Sequence, residues 1–446
     1  MKIKFYDKNE ILSMIAILIA IFLAVLDFNM IGSMLPFIAK ELNISYSSSI
    51  WIINIYQLVM FSTLIFFSKL SNILGYKILF LSGLLIFTFS SFLCFSANNF
   101  KEILTFRASQ ALGASILTSI NIAMIKNIYS SKRIGHGIAL SAFTVAIASS
   151  AAPMIASSII SHFPWNYIFL VSTPIGLVSF ILSALYIKSD FNKKLEKIPM
   201  YLIFNLFIYF LIGFCIILIS QSNNLALLPL LLLTIIVILF KTIFLKTLQI
   251  KFIINNKLKV SFLNTLIFFF SQSLSFTTLP FYLHQVLLKS INSVSFYLTT
   301  WAISVAISAF SSGFLSHRFS PKVISGIGSI FFTLGLVLLF HTQISTPHIY
   351  ITYSVFLSGI GFGLFQSSNI LYIMNATSPD DSALTSGILS TVRLLAQLTG
   401  AAFFSFLILN FDNSGLKYAL LIAFSSSLIT IFLCFKESKS LRNISF

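Results

Sequence analysis

Long apolar stretches, broken by short polar runs, set the pattern of this chain. A helix needs about 20 apolar residues to cross the hydrocarbon core of a bilayer. Fourteen stretches approach or exceed that length: 11–37, 48–68, 78–97, 102–125, 134–158, 165–187, 200–220, 224–245, 260–284, 291–315, 323–341, 347–374, 382–408 and 416–435. The weakest is 224–245, which carries Pro229 and Lys241, and the lysine can snorkel to the interface. The pattern predicts an all-α polytopic membrane protein.

Charge placement orients these spans. With the N-terminus numbered inside, 22 of the 28 Lys and Arg residues fall on the inner side. Lys40, Lys101, Lys289 and Lys417 fall outside, and Arg107 and Arg393 fall within spans. Both termini are therefore expected in the cytoplasm. The first apolar run follows Lys2 and Lys4 but is too long for a leader and holds Asp27, so it reads as a first span.

Composition agrees. Hydrophobic residues make up 57% of the 446 and charged residues 9%, against about 25% charged in a soluble domain. That excludes a soluble globular protein and a disordered one. The net charge of +17 is explained by topology rather than nucleic acid. Cys94, Cys215 and Cys434 lie apart in apolar segments, giving neither a disulfide framework nor a metal pattern.

The segment 68–77 aligns without gaps on 313–322, with Leu, Ser and the final Lys coinciding at an offset of 245. Each segment follows the second span of a six-span block. This predicts an N-terminal six-helix bundle (1–187), an inserted transmembrane hairpin with its linkers (188–258) and a C-terminal six-helix bundle (259–446). Repeated halves are a signature of transporters that rock between two states.

Polar residues within spans are costly and point to function. Glu102 stands at the first residue of its span; Asp27 is the one carboxylate placed deep inside a span, about 16 residues in, roughly 24 Å from the inner face. Arg107 lies about five residues into a span that starts outside, roughly 7 Å from the outer face. In a core about 30 Å thick these depths nearly coincide, so the two can meet if their helices are neighbours. Hydrocarbon favours a neutral carboxyl and a guanidinium favours an ionised one, so contact that changes with state would move a proton. The alternative is a permanent structural ion pair. Arg393 lies near mid-membrane and either lines a cavity or bonds backbone carbonyls. Asn29, Tyr56, Gln57, Gln110, Asn121, Gln272, Gln366, Asn369 and Gln397 are either interhelical glue or the lining of a wet cavity. His284 reads as interfacial. The 50 Phe residues read mainly as lipid-facing or core packing.

No phosphate loop of the G-x-x-x-x-G-K-[ST] type, no H-E-x-x-H and no G-x-S-x-G occurs. Gly359-Ile-Gly-Phe-Gly363 lies in an apolar span and reads as close helix packing. An enzyme, a cofactor and a metal are therefore not expected.

Several ordered stretches resemble the major facilitator superfamily, in particular its fourteen-span drug:proton antiporter branch. Leu26-Asp27 through Leu35-Pro36 resembles the span-1 motif, and Trp51 and Tyr56 match the start of span 2. Residues 68–77, with Ser68, Asn72, Gly75 and Lys77, resemble the gate signature between spans 2 and 3, echoed by Arg318 and Lys322. Arg107-Ala-Ser-Gln110-Ala-Leu-Gly113 resembles the span-4 motif, whose Arg the family implicates in proton coupling. Ala152, Pro153, Ala156 and Ser157 resemble the span-5 antiporter motif, and Trp165 to Gly176 the span-6 pattern. Gly359 to Asn369 and Gly387 to Gly400 resemble spans 12 and 13.

The chain departs from that pattern in places. Ser68, Asn72 and Ile73 stand where the gate signature has Gly, Asp and Arg. Ala152, Ala156 and Ser157 replace span-5 glycines, and Ala111 replaces a glycine in span 4. The resemblance implies the major facilitator fold and a proton-coupled exporter of small amphipathic compounds. Asp27 and Arg107 would couple protons, and Asn29, Tyr56, Gln57, Gln110, Asn121, Gln366, Asn369, Arg393 and Gln397 would line the substrate path. The expected partners are the bilayer, protons and a small-molecule substrate, with no nucleic acid and no obligate protein partner. The expected location is a bacterial inner membrane. One acid against two arginines in the spans leaves room for neutral or anionic cargo, such as an endogenous metabolite or siderophore. A non-transporting receptor that kept the fold is a remote alternative.

Overall fold

A computed structural model describes residues 8–128, 134–188, 200–221, 256–316, 318–377 and 382–442. The described residues are helical, without strands. The helices are α1 (Lys8–Glu41), α2 (Tyr46–Ser49), α3 (Trp51–Leu74), α4 (Tyr76–Phe95), α5 (Phe100–Ile128), α6 (Ile134–Ile160), α7 (Tyr167–Tyr186) and α8 (Met200–Ser220). After these come α9 (Asn256–Phe281), continued by a π-helical turn (Tyr282–Val286), then α10 (Ile291–Leu315), α11 (Pro321–Phe340), α12 (His348–Asn375) and α13 (Ser382–Arg442). Thirteen of the fourteen predicted spans fall on these helices, counting α13 as two. The span predicted at 224–245, with Pro229 and Lys241, lies outside the described residues.

Two loop expectations need correction. The connection predicted at 69–77 is helical as far as Leu74, and α4 resumes at Tyr76. Only Gly75 leaves the helical path, at φ 88°, a left-handed conformation that costs glycine little. Lys69 and Lys77 made the stretch polar, but polarity alone does not break a helix. The gap predicted at 409–415 is a kink within α13, centred on Asp412 at φ 45°.

The chain separates into two compact units. The first comprises residues 1–44 and 51–211, and the second residues 45–50 and 212–446. The division falls inside α8. Within the first unit α4 packs on α5, α3 on α5, α1 on α6 and α7, and α4 on α7. Within the second unit α11 packs on α12, α10 on α12, α9 on α13, and α11 on α13. These are the same pairings shifted by the 245-residue offset read from the sequence. Helices α4 and α11 are both 20 residues long, and their first residues, Tyr76 and Pro321, differ by that offset.

Close helix approach is built the same way in both units. A Cβ on Gly113 would lie 2.6 Å from the backbone N of Phe87, binding α5 tightly to α4. A Cβ on Gly328 would lie 2.6 Å from the backbone N of Phe365, binding α11 to α12. Glycine is the residue that lets backbones meet so closely in lipid, where van der Waals packing holds helices together.

A buried charge cluster in the first unit

The first unit carries an ion pair with no access to solvent. Asp27 on α1 and Arg107 on α5 are both 0% exposed, and Nη1 of Arg107 donates to Oδ2 of Asp27 at 2.6 Å. The depth arithmetic required α1 and α5 to be neighbours, and they are in contact. Gln110, one turn along α5, closes the cluster. Its Oε1 accepts from Arg107 Nη1 at 2.5 Å, and its Nε2 donates to Asp27 Oδ1 at 2.9 Å and to Ser91 Oγ on α4 at 2.8 Å. Ser172 on α7 adds a 3.3 Å hydrogen bond to Asp27 Oδ1. Five polar side chains from four helices thus converge, and the i, i+3 spacing of Arg107 and Gln110 puts both on one face of α5.

The guanidinium is enclosed by rings. Its carbon lies 4.2 Å from the centre of the Tyr56 ring on α3 and 5.7 Å from that of Phe169 on α7. Cation–π attraction is stronger where water is excluded. Nε and Nη2 of Arg107 have no hydrogen-bond partner. The arrangement neutralises one charge with one charge, yet leaves donor capacity unused.

Other predicted residues lie away from this cluster. Asn29 turns toward α6, donating to Val25 O at 2.8 Å and Ser149 Oγ at 3.4 Å. Gln57 is buried with Oε1 unpartnered. Asn121 is 14 residues along α5 from Arg107, roughly 21 Å by helical rise, and its Oδ1 has no partner. Ala152, Pro153, Ala156 and Ser157 are buried in α6, where small side chains suit the contact with α1. Ser68 is exposed near the end of α3, and Asn72 lies in the same helix. Lys77 reaches across to donate to Ala184 O at the end of α7, at 2.9 Å.

The second unit holds the rest. Asn369 on α12 is buried and donates to Thr265 Oγ1 on α9 at 2.7 Å. Gln366 is half-buried one turn away. Arg393 on α13 sits with its guanidinium carbon 4.8 Å from the ring centre of Phe269 on α9. The backbone carbonyl of Gln397 accepts from Ser273 Oγ at 2.7 Å. Gln272 on α9 is buried with Oε1 unpartnered. Arg318 is exposed, whereas Lys322, expected in a polar connection, is buried in the first turn of α11 against the Tyr372 ring. The lysine's long apolar stem allows such burial. His284 lies in the π-helical turn, its Nδ1 3.2 Å from Lys289 O.

Sequence reasoning missed Ser91 and Ser172, and it placed Phe169 in the span-6 pattern without its contact to Arg107. It also missed Asn54, which is fully buried on α3 with neither amide atom hydrogen-bonded. Among the described residues no group of three or more His, Cys, Asp or Glu side chains gathers to hold a metal. Cys94, Cys215 and Cys434 are free thiols, and Cys434 accepts from Asn264 Nδ2 at 3.0 Å.

Long apolar helices in two units of matching topology, with a buried charge cluster in one, define a polytopic membrane transporter. The sequence profile of the Major Facilitator Superfamily matches residues 17–199 and 261–443, and the chain belongs to that family. It is 31% identical over 424 residues to the uncharacterized transporter YebQ of Escherichia coli (strain K12), covering 92% of each chain. It is 28% identical over 412 residues to the riboflavin transporter RibZ of Clostridioides difficile (strain 630), covering 89% of this chain and 88% of that one. It is 23% identical over 398 residues to the multidrug transporter protein MdtP of Bacillus subtilis (strain 168), covering 82% and 69%. The fold is also that of a bacterial homologue of the human lysosomal transporter Spinster, in an inward-facing, unoccupied crystal structure. That likeness has a TM-score of 0.71 at 14% identity over 98% of both chains.

Proposed function

We propose that this transporter is a proton-coupled exporter of small amphipathic compounds working by alternating access, with Asp27 as the proton carrier and Arg107 as its switchable partner. The observation that carries the reading is the enclosed Asp27–Arg107–Gln110 cluster. A buried ion pair is weak evidence for stability, since desolvation offsets much of the attraction. A retained one is better explained by a task. When the pair opens, Asp27 takes up a proton; when it closes, Arg107 displaces that proton. One proton crossing 100 mV supplies about 2.3 kcal/mol. That supports a gradient of roughly 50-fold for a neutral substrate, since each 1.4 kcal/mol is tenfold.

Drug or toxic-compound efflux comes first because MdtP is named a multidrug transporter. The second reading, export of a neutral or anionic metabolite, is favoured by Arg393 and by the name of RibZ. A fourteen-span topology with cytoplasmic termini in a bacterial inner membrane is part of the proposal. It is supported by the lysine and arginine asymmetry and by a family match in two blocks that leaves residues 200–260 between them.

The test starts from a growth and accumulation screen with cationic, neutral and anionic compounds, in cells with and without the protein. A compound that responds is then followed in proteoliposomes. Asp27→Asn is expected to lose pH-driven efflux by roughly tenfold or more while still exchanging substrate across the membrane. Wild-type pH-driven efflux in that variant would sink the assignment.

A further inference from the structure

We propose that Arg393 is an anion-pairing subsite within the second unit, and that it takes the carboxylate of a flat aromatic cargo. The inference rests on the transport reading only in calling the ligand cargo.

A guanidinium inside a membrane span is expensive and is expected to face a partner or a wet cavity. Arg107 has Asp27, but no carboxylate pairs with Arg393 among the described residues. The sequence shows why. Between Glu196 and Asp380 there is no Asp or Glu, so helices α9, α10, α11 and α12 contain no acid. On α13 itself, Asp412 is 19 residues beyond Arg393, roughly 28 Å by helical rise. Nothing in the second unit's own spans is placed to neutralise this charge. Its Nε is enclosed and makes no hydrogen bond, while the residue as a whole is only half-buried, so the rest of the side chain stays reachable.

The surroundings then select the ligand. Phe269 lies under the guanidinium at 4.8 Å. Phe362 meets Phe269 edge-on at 5.7 Å, and Trp301 stacks on Phe362 at 5.4 Å. Phe269 and Phe362 are themselves buried, at 2% and 7% exposed, so half-buried Trp301 is the ring of the three left to meet a flat apolar body. Gln272, one turn along α9 from Phe269, keeps Oε1 unpartnered, and Gln397 lies one turn along α13 from Arg393. Both are neutral groups that can donate or accept. A fork of donors with an aromatic ring near by suits a carboxylate, which a guanidinium binds through two parallel hydrogen bonds. A cationic cargo would meet uncompensated repulsion here.

The experiment is equilibrium binding by scintillation proximity on purified full-length protein, without any gradient. The probes are tritiated 1-naphthoate and its uncharged counterpart 1-naphthylmethanol. Wild type is expected to bind the naphthoate roughly tenfold more tightly than the alcohol. Arg393→Gln is expected to bind both equally, and Arg393→Lys to keep part of the preference. Each variant is first required to elute as a single monodisperse species, and Arg393→Lys guards against a folding defect in Arg393→Gln. Absence of saturable naphthoate binding to wild type, equal binding of the two probes, or an unchanged preference in Arg393→Gln would overturn the proposal. Because no proton gradient is present, the outcome is independent of whether Asp27 couples transport.

Discussion

The two units share a helical plan and differ in where they keep charge. At the 245-residue offset Asp27 corresponds to Gln272, Arg107 to Thr352 and Tyr56 to Trp301. The aromatic residue is kept while the ion pair is replaced by neutral groups. Conversely, Ala148 and Ala152 on α6 correspond to Arg393 and Gln397 on α13. One unit seals an ion pair among four helices, and in the other Arg393 sits half-buried beside the Phe269 ring. The scaffold is therefore set by small residues and helix lengths, and chemistry is added locally, a few side chains at a time.

The largest expected effect comes from removing one partner of the sealed pair. Arg107→Ala leaves Asp27 buried without its counter-charge and is expected to cost about 3–5 kcal/mol, read as a lower melting midpoint in detergent. The corresponding change in the second unit, Thr352→Ala, is expected to move stability by no more than about 0.5 kcal/mol. Similar losses at both sites would show that the ion pair is not what separates the units. Next in size are the close approaches. Gly113→Leu and Gly328→Leu each push a side chain into the neighbouring backbone, for an expected loss of about 1–3 kcal/mol apiece. Unequal losses in thermal unfolding would contradict a shared scaffold. The smallest effect is that of Ser172→Ala, which removes the longest hydrogen bond to Asp27 and is expected to cost about 1 kcal/mol. A loss as large as that from Arg107→Ala would mean that the serine, not the guanidinium, holds the carboxylate.

Much of the fold was legible because lipid imposes simple rules. Span length and lysine placement located the helices, and three coincident residues in ten revealed an offset that holds for α4 and α11. Matching depth made a meeting of Asp27 and Arg107 possible, and the contact of α1 with α5 realises it. Ser91 and Ser172 were invisible for a physical reason. A serine in a span usually satisfies its own helix, as Ser62 does by donating to Val59 O and Ser71 to Ser68 O. Nothing local distinguishes the few that reach across. Phe169 was legible as part of the span-6 pattern, but nothing local pointed it at a guanidinium on α5. The connection at Gly75 was misjudged because charged residues look like a loop when only one residue departs from helical geometry.

That one residue has a mechanical corollary. A single left-handed glycine leaves no slack between α3 and α4, so the pair behaves as a bent rod, and tilting either end drags the other. A short flexible insert at this position would lengthen the tether between the two helices. Motion passed from α3 to α4 would then be lost, while the Asp27 cluster stayed intact.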